Sequence, residues 1–240
     1  MKKVWIFGGS FCSGYQNGGG ARDWIAQLDA DVTLWACTPQ SPRSQFLMLQ
    51  HAFCCSKLET KFQTPPDHII YDYPPANRVD LPTEVPAEKQ NILNCNLYAK
   101  SRTGHEFECG CEPDTGPKWG VRSLTLLDKW HEWDKTPAKE QFTRQVKQDV
   151  IKGRLPDLST HRYTQEALDV IKQSGISYSW YSANNSEHLA FSDHLDSYVD
   201  IQTLNNTIPE QTYNSHTFNH LSINQNLHWS QFFNQLISDT

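Results

Sequence analysis

Four stretches of the chain are dense in β-branched and aromatic residues and are of strand length: KVWIF (3–7), DVTLWA (31–36), HIIYDY (68–73) and ISYSWYS (176–182). Breakers bound most of them, as expected of buried strands. Segments of helical character lie between the first three, ARDWIAQL (21–28) and SQFLMLQHAFCCSKLETKF (44–62). A further helical segment, TQEALDVIKQSG (164–175), closes on Gly175 and leads directly into the fourth strand. Glycine is the residue best suited to a left-handed helix end. In the last segment, SINQNLHWSQFFNQLI, the apolar residues Ile223, Leu227, Phe232 or Phe233, and Leu236 recur at helical spacing, with Ser222 as an N-cap. This alternation predicts an α/β fold, a three-layer α/β/α sandwich with a mainly parallel, flavodoxin-like sheet and ligands at the carboxyl ends of its strands.

Residues 74–162 break the rhythm with proline, glycine and charge. They are expected to form a large irregular insertion within a single domain over 1–240, carrying helices near 120–132 and 138–152.

Composition narrows the function classes. Net charge is -6 with pI about 5.9, which argues against a nucleic-acid partner, since a phosphate binder normally shows a basic face. The densest basic stretch, KEQFTRQVKQDVIKGR (139–154), is diluted by acids and glutamines and reads as a solvated helix face. No apolar run approaches the roughly 18 residues of a membrane span. Two lysines followed by only four apolar residues do not make a signal peptide, so the chain is expected in the cytoplasm, or as part of a virion. The sequons at Asn184 and Asn205 carry little weight without export.

Seven cysteines in such a compartment are expected to be mostly free thiols. Cys95, His105, Cys109 and Cys111 fall within seventeen residues and could close a tetrahedral structural zinc site. Their C-x-C spacing is tighter than the usual C-x₂-C, and a loop with incidental cysteines is the favoured reading.

Candidate chemistry begins at FGGSFCSG, where Gly8 and Gly9 stop the first strand and Ser10 follows. Small residues at a strand end let the backbone turn sharply and approach something closely. G-x-G-x-x-G is not present, so a dinucleotide loop is excluded. GGSF resembles the opening of nucleotidylyltransferases, and a nucleotidylyltransferase-like protein stays as the weaker alternative, because YQNGGG lacks the histidine that contacts a triphosphate in that family. The remaining reading makes Ser10 a nucleophile, which requires a base and oxyanion donors brought by the fold.

The tail supplies a candidate base. FNHLSINQNLHW resembles the final block of the SGNH (GDSL-like) hydrolases, with His220 in a loop at the start of the closing helix. Strand-GGS-F-x-S-G is similar to that family's first block, with Ser10 at the nucleophile position. DHIIYDYPPANR resembles the third strand of phage-type members. The likeness covers about residues 3–80 and 164–238. It implies a serine esterase or deacetylase acting on a small-molecule or carbohydrate ester without a catalytic cofactor. Ser10 would be nucleophile, His220 base, and Asn77 an oxyanion donor. Arg78 would bind an anionic substrate group or pair with Asp80.

The chain departs from the pattern at Gly9, where the family has aspartate. It departs again in CTPQSPR (37–43), which lacks the oxyanion glycine, and at Thr217, where the triad acid would fall. Asn219 or a backbone carbonyl would then orient the imidazole, and a catalytically weak SGNH-fold binding module is the alternative. His216 is a neighbouring candidate, and His228 reads as structural. Trp119, Trp130 and Trp133 are candidates to line a sugar-binding cleft, with core packing as the plainer role.

Overall fold

The computed structural model describes residues 1–8, 12, 24–36, 42–57, 64–73, 78–84, 99–101, 106–107, 119–125, 141, 144–145, 148, 160–182, 185–206 and 223–240. In chain order the elements are β1 (Lys3–Gly8), a 3-10 turn (Ile25–Gln27), β2 (Asp31–Ala36), α1 (Pro42–Lys57) and β3 (His68–Tyr73). Then come β4 (Arg78–Glu84), β5 (Ala99–Ser101), β6 (Glu106–Phe107) and β7 (Trp119–Thr125). The chain continues with α2 (Thr160–Ser174), β8 (Ser177–Ser182), a 3-10 stretch (Asn185–Ser197), α3 (Ile201–Asn206) and α4 (Ile223–Asp239).

Four strands pair in parallel in the order β2-β1-β3-β8, as the strand–helix alternation predicts. The order reverses at β1, whose two neighbours are β2 and β3. The crevice between β1 and β3 at their carboxyl ends is therefore the topological switch point, where open α/β sheets bind ligands.

Every residue of β3, and all of β1 after Lys3, is buried, so both sheet faces are covered. Trp5, Phe7, Trp35, Tyr71 and Trp180 pack under α1 and α2 on one face. Val4, Ile6, Val32, Ile70 and Tyr181 pack with α3, α4 and the 3-10 turn on the other. These are the three layers of the sandwich.

The helices run against the strands. Lys2 Nζ donates to Ile237 O at 2.8 Å, which fixes the end of α4 beside the start of β1. A helix of 17 residues spans about 25 Å, so the first turn of α4 lies toward the carboxyl edge. In the same way α2 ends at Gly175 (φ 71) just before β8, as its sequence predicts, and begins at the carboxyl edge.

Three local expectations change. Of the helical segment expected over 21–28, the described part is one 3-10 turn, because tertiary partners claim the backbone: Trp24 N donates to Asn226 Oδ1 and Asp29 N to Asn234 Oδ1. Residues 119–125 form a strand instead of the start of a helix, because they pair antiparallel with Arg78–Glu84 over seven positions. Part of the insertion also joins the main sheet, since β5 pairs antiparallel with β2, and β6 with β5. Gln141, Arg144, Gln145 and Gln148 are helical, as expected within 138–152. Among the described residues no helix is long and apolar enough to cross a membrane.

Candidate active site

The carboxyl edge is formed by Gly8, Ala36, Tyr73 and Ser182, with Gly8 in register with Ala36 and Tyr73 with Ser182. Ser10, Asn77 and His220 lie outside the described residues, as do Gly9, His216, Thr217, Asn219, Trp130, Trp133 and the cysteine cluster Cys95, His105, Cys109 and Cys111. Their described neighbours in the chain are Gly8 before Ser10, Tyr73 and Arg78 around Asn77, and Ile223 after His220. Arg78 opens β4, Trp119 opens β7, and His228 is a half-buried residue of α4.

Gly8 meets the close approach that its glycine implied. A Cβ at this position would overlap Cys12 Sγ and would come within 2.9 Å of Cys12 Cβ and 3.0 Å of Asp72 Cβ. The chain thus folds back onto the end of β1 and presses Cys12 against β3. Cys12 is fully buried; its Sγ lies 3.1 Å from Tyr181 OH and donates to Asp72 Oδ2 at 3.8 Å. Asp72 is buried on the α4 side, and its carbonyl accepts from Gln45 Nε2 of α1 at 2.6 Å. The crevice between β1 and β3 therefore has a carboxylate, a thiol and a phenol packed on one side.

On the other face of the same edge, Tyr73 OH and His161 Nδ1 share a hydrogen bond of 3.2 Å, and Phe191 packs edge-on against Tyr73 at 5.4 Å. His161 did not stand out in the sequence, because the pattern predicts a helix from Thr164 while α2 begins at Thr160. Neighbouring Tyr71 is a neutral wall: burial, reinforced by Asp72 and Tyr73, pushes its phenol well above the usual range.

A second polar arrangement occupies the opposite edge. His68, at the start of β3, is pinned between Ser177 Oγ (3.0 Å from Nδ1) and Ser179 Oγ (3.1 Å from Nε2). Burial, and then the nearby Lys2 charge, lower its pKa to about 4, so the ring is neutral. It floors a groove of about 610 Å³ walled by Tyr178, Tyr198, Phe232 and Leu236. This groove sits at the amino ends of the strands, away from the switch point. Among the described residues no three His, Cys, Asp or Glu side chains gather as metal ligands.

Chemically, the carboxyl edge can hold a proton-accepting group close to the turn after β1. Comparison with known protein families, with curated proteins and with solved structures gives no match.

Proposed function

We propose that the protein is a serine ester hydrolase of the SGNH type, with Ser10 attacking an ester carbonyl, His220 taking its proton and Asn77 donating to the oxyanion. An O-acylated carbohydrate or another small ester is the substrate class. One observation carries the reading: β1 ends at the switch point of a parallel sheet, and α4 runs back along it so that its first turn comes to the same edge. The segments preceding Asn77 and Ser10 leave adjacent strands, and the segment bearing His220 enters the helix directed at them.

Covalent labelling with a fluorophosphonate tests this reading. Wild type should label, and Ser10→Ala and His220→Ala should not, while His161→Ala should label normally. Labelling that survives both Ser10→Ala and His220→Ala sinks the mechanism. Dependence on His161 instead of His220 moves the base to α2. Thr217 in place of an acid favours a second reading, a non-catalytic SGNH-fold binding module, phage-associated in the resemblance. A folded wild type that does not label supports that one.

A further inference from the structure

The groove at the amino ends of the strands takes no part in the Ser10–His220 reading. It lies beside β8, an edge strand of the described sheet, where Val199 N donates to Trp180 O at 2.8 Å and residues 196–200 form one side. Leu204 of α3, with Phe232 and Leu236 of α4, supplies apolar wall. At about 610 Å³ it has the size of a small-molecule site.

The charged side chains of this wall are acids. Asp196 and Asp200 are exposed in it, and among the described residues no lysine or arginine lines it. His68 at the floor adds no charge at neutral pH, and Lys2 beyond it donates to Ile237 O at the end of α4. Asp200 is a fixed charge, because its Oδ1 accepts from Gln202 N and Thr203 N and its Oδ2 from Thr203 Oγ1. The acids stand near aromatic rings. Burial and then Asp200 push the Tyr198 phenol up to about 12, so its ring stays neutral, and Asp196 is among the charges that raise Tyr178 after burial. Tyr198 and Phe232 are both half-buried, which leaves part of each ring open to a ligand.

We propose that this groove binds an organic ammonium ion, with its apolar body against Leu204, Phe232 and Leu236 and its charged head beside Tyr198 and the carboxylates of Asp196 and Asp200. The apolar body removes leucine and phenylalanine surface from water. The head is drawn to the face of a neutral aromatic ring by its quadrupole and to the carboxylates by charge. A neutral ligand of the same shape gains nothing from the two acids, and an anion is repelled by them. Binding here makes and breaks no covalent bond and is independent of Ser10.

The test is an NMR titration of the full chain with benzyltrimethylammonium, and with benzyl alcohol and benzoate as its neutral and anionic counterparts. The cation should shift the ring signals of Tyr198 and Phe232 saturably and bind about 3- to 30-fold more tightly than the alcohol, with benzoate weakest. Asp196 is exposed, so its replacement leaves the core intact. Asp196→Asn should weaken the cation about 2- to 5-fold and Asp196→Lys further, while neither substitution moves the affinity for benzyl alcohol. Equal affinity for cation and alcohol overturns the ammonium assignment, as does cation binding unchanged in both Asp196 variants. The absence of a saturable shift at Tyr198 and Phe232 overturns the site itself. Fluorophosphonate labelling reads the opposite edge of the sheet, so failure of either experiment leaves the other reading standing.

Discussion

Gly8 and Asp72 touch across the switch point, one closing β1 and the other nearly closing β3, with no room for a methyl group between them. Both neighbours of the missing Cβ are anchored near their own backbones, at Cys12 Cβ and Asp72 Cβ, so neither can swing away. Gly8→Ala should destabilise the fold by about 1–3 kcal/mol, the usual cost of overpacking. In a chain of this size each kcal/mol is worth about 2–4 °C, so a melting temperature equal to wild type would contradict the contact.

His68 makes stability depend on pH. Its folded pKa of about 4 lies below the unfolded value of 6.5, so the unfolded chain binds the extra proton first. Stability contributed by the neutral ring is complete above pH 6.5 and is lost as pH falls toward 4. The loss reaches about 3 kcal/mol by linkage. His68→Gln, which can still bond both serines but does not titrate, should flatten the denaturant midpoint between those limits. A midpoint that falls equally in both proteins would assign the acid sensitivity elsewhere.

His194 ties three elements together. Its buried ring lies 2.8 Å from Tyr178 OH at Nδ1 and, at Nε2, 3.1 Å from Asp169 Oδ1 and 3.0 Å from Gln165 Nε2, while its carbonyl accepts from Trp180 Nε1 (2.8 Å). His194→Leu strips all three ring contacts and should cost about 1–3 kcal/mol, more than Tyr178→Phe, which removes only one. Urea titration of both variants and of the double variant measures the coupling. Strict additivity would mean that the two rings act independently.

The closing helix is held to the sheet through aromatic contacts. Phe233 stacks on Trp24 at 4.8 Å and meets Tyr181 of β8 at 6.1 Å, all three fully buried. Phe233→Ala should cost about 3–5 kcal/mol. Because α4 leads back to His220, the same variant should slow labelling at temperatures where its circular dichroism is still native. Labelling at the wild-type rate there would separate the site from the helix.

Part of the site was legible and part was not. Asn77 and His220 come from motif resemblance alone, Ser10 from that and from the turn at the end of the first strand, and the glycine at position 8 signalled a close approach without saying to what. Asp72 gave no signal, because an acid inside HIIYDY reads as the polar member of a strand near its end. Its burial comes from Cys12 and Gly8, sixty and sixty-four residues away in sequence. His161 was hidden by four residues of helix whose apolar spacing starts only later.

By itself, the sequence determined the elements whose local preference and burial agree. The β-branched and aromatic runs of β1, β2, β3 and β8 became strands, and α2 stopped at Gly175 because that residue takes a positive φ at no steric cost. Tertiary structure decided the rest. WGVRSLT is a strand only because Arg78–Glu84 lies beside it, and Trp24–Leu28 stays a single turn because asparagines of α4 take the backbone donors of Trp24 and Asp29 at its two ends. The strand order, and with it the crevice at Gly8 and Asp72, depends on which strands pair. Pairing is an energy shared between distant segments, whereas propensity and periodicity belong to each segment alone.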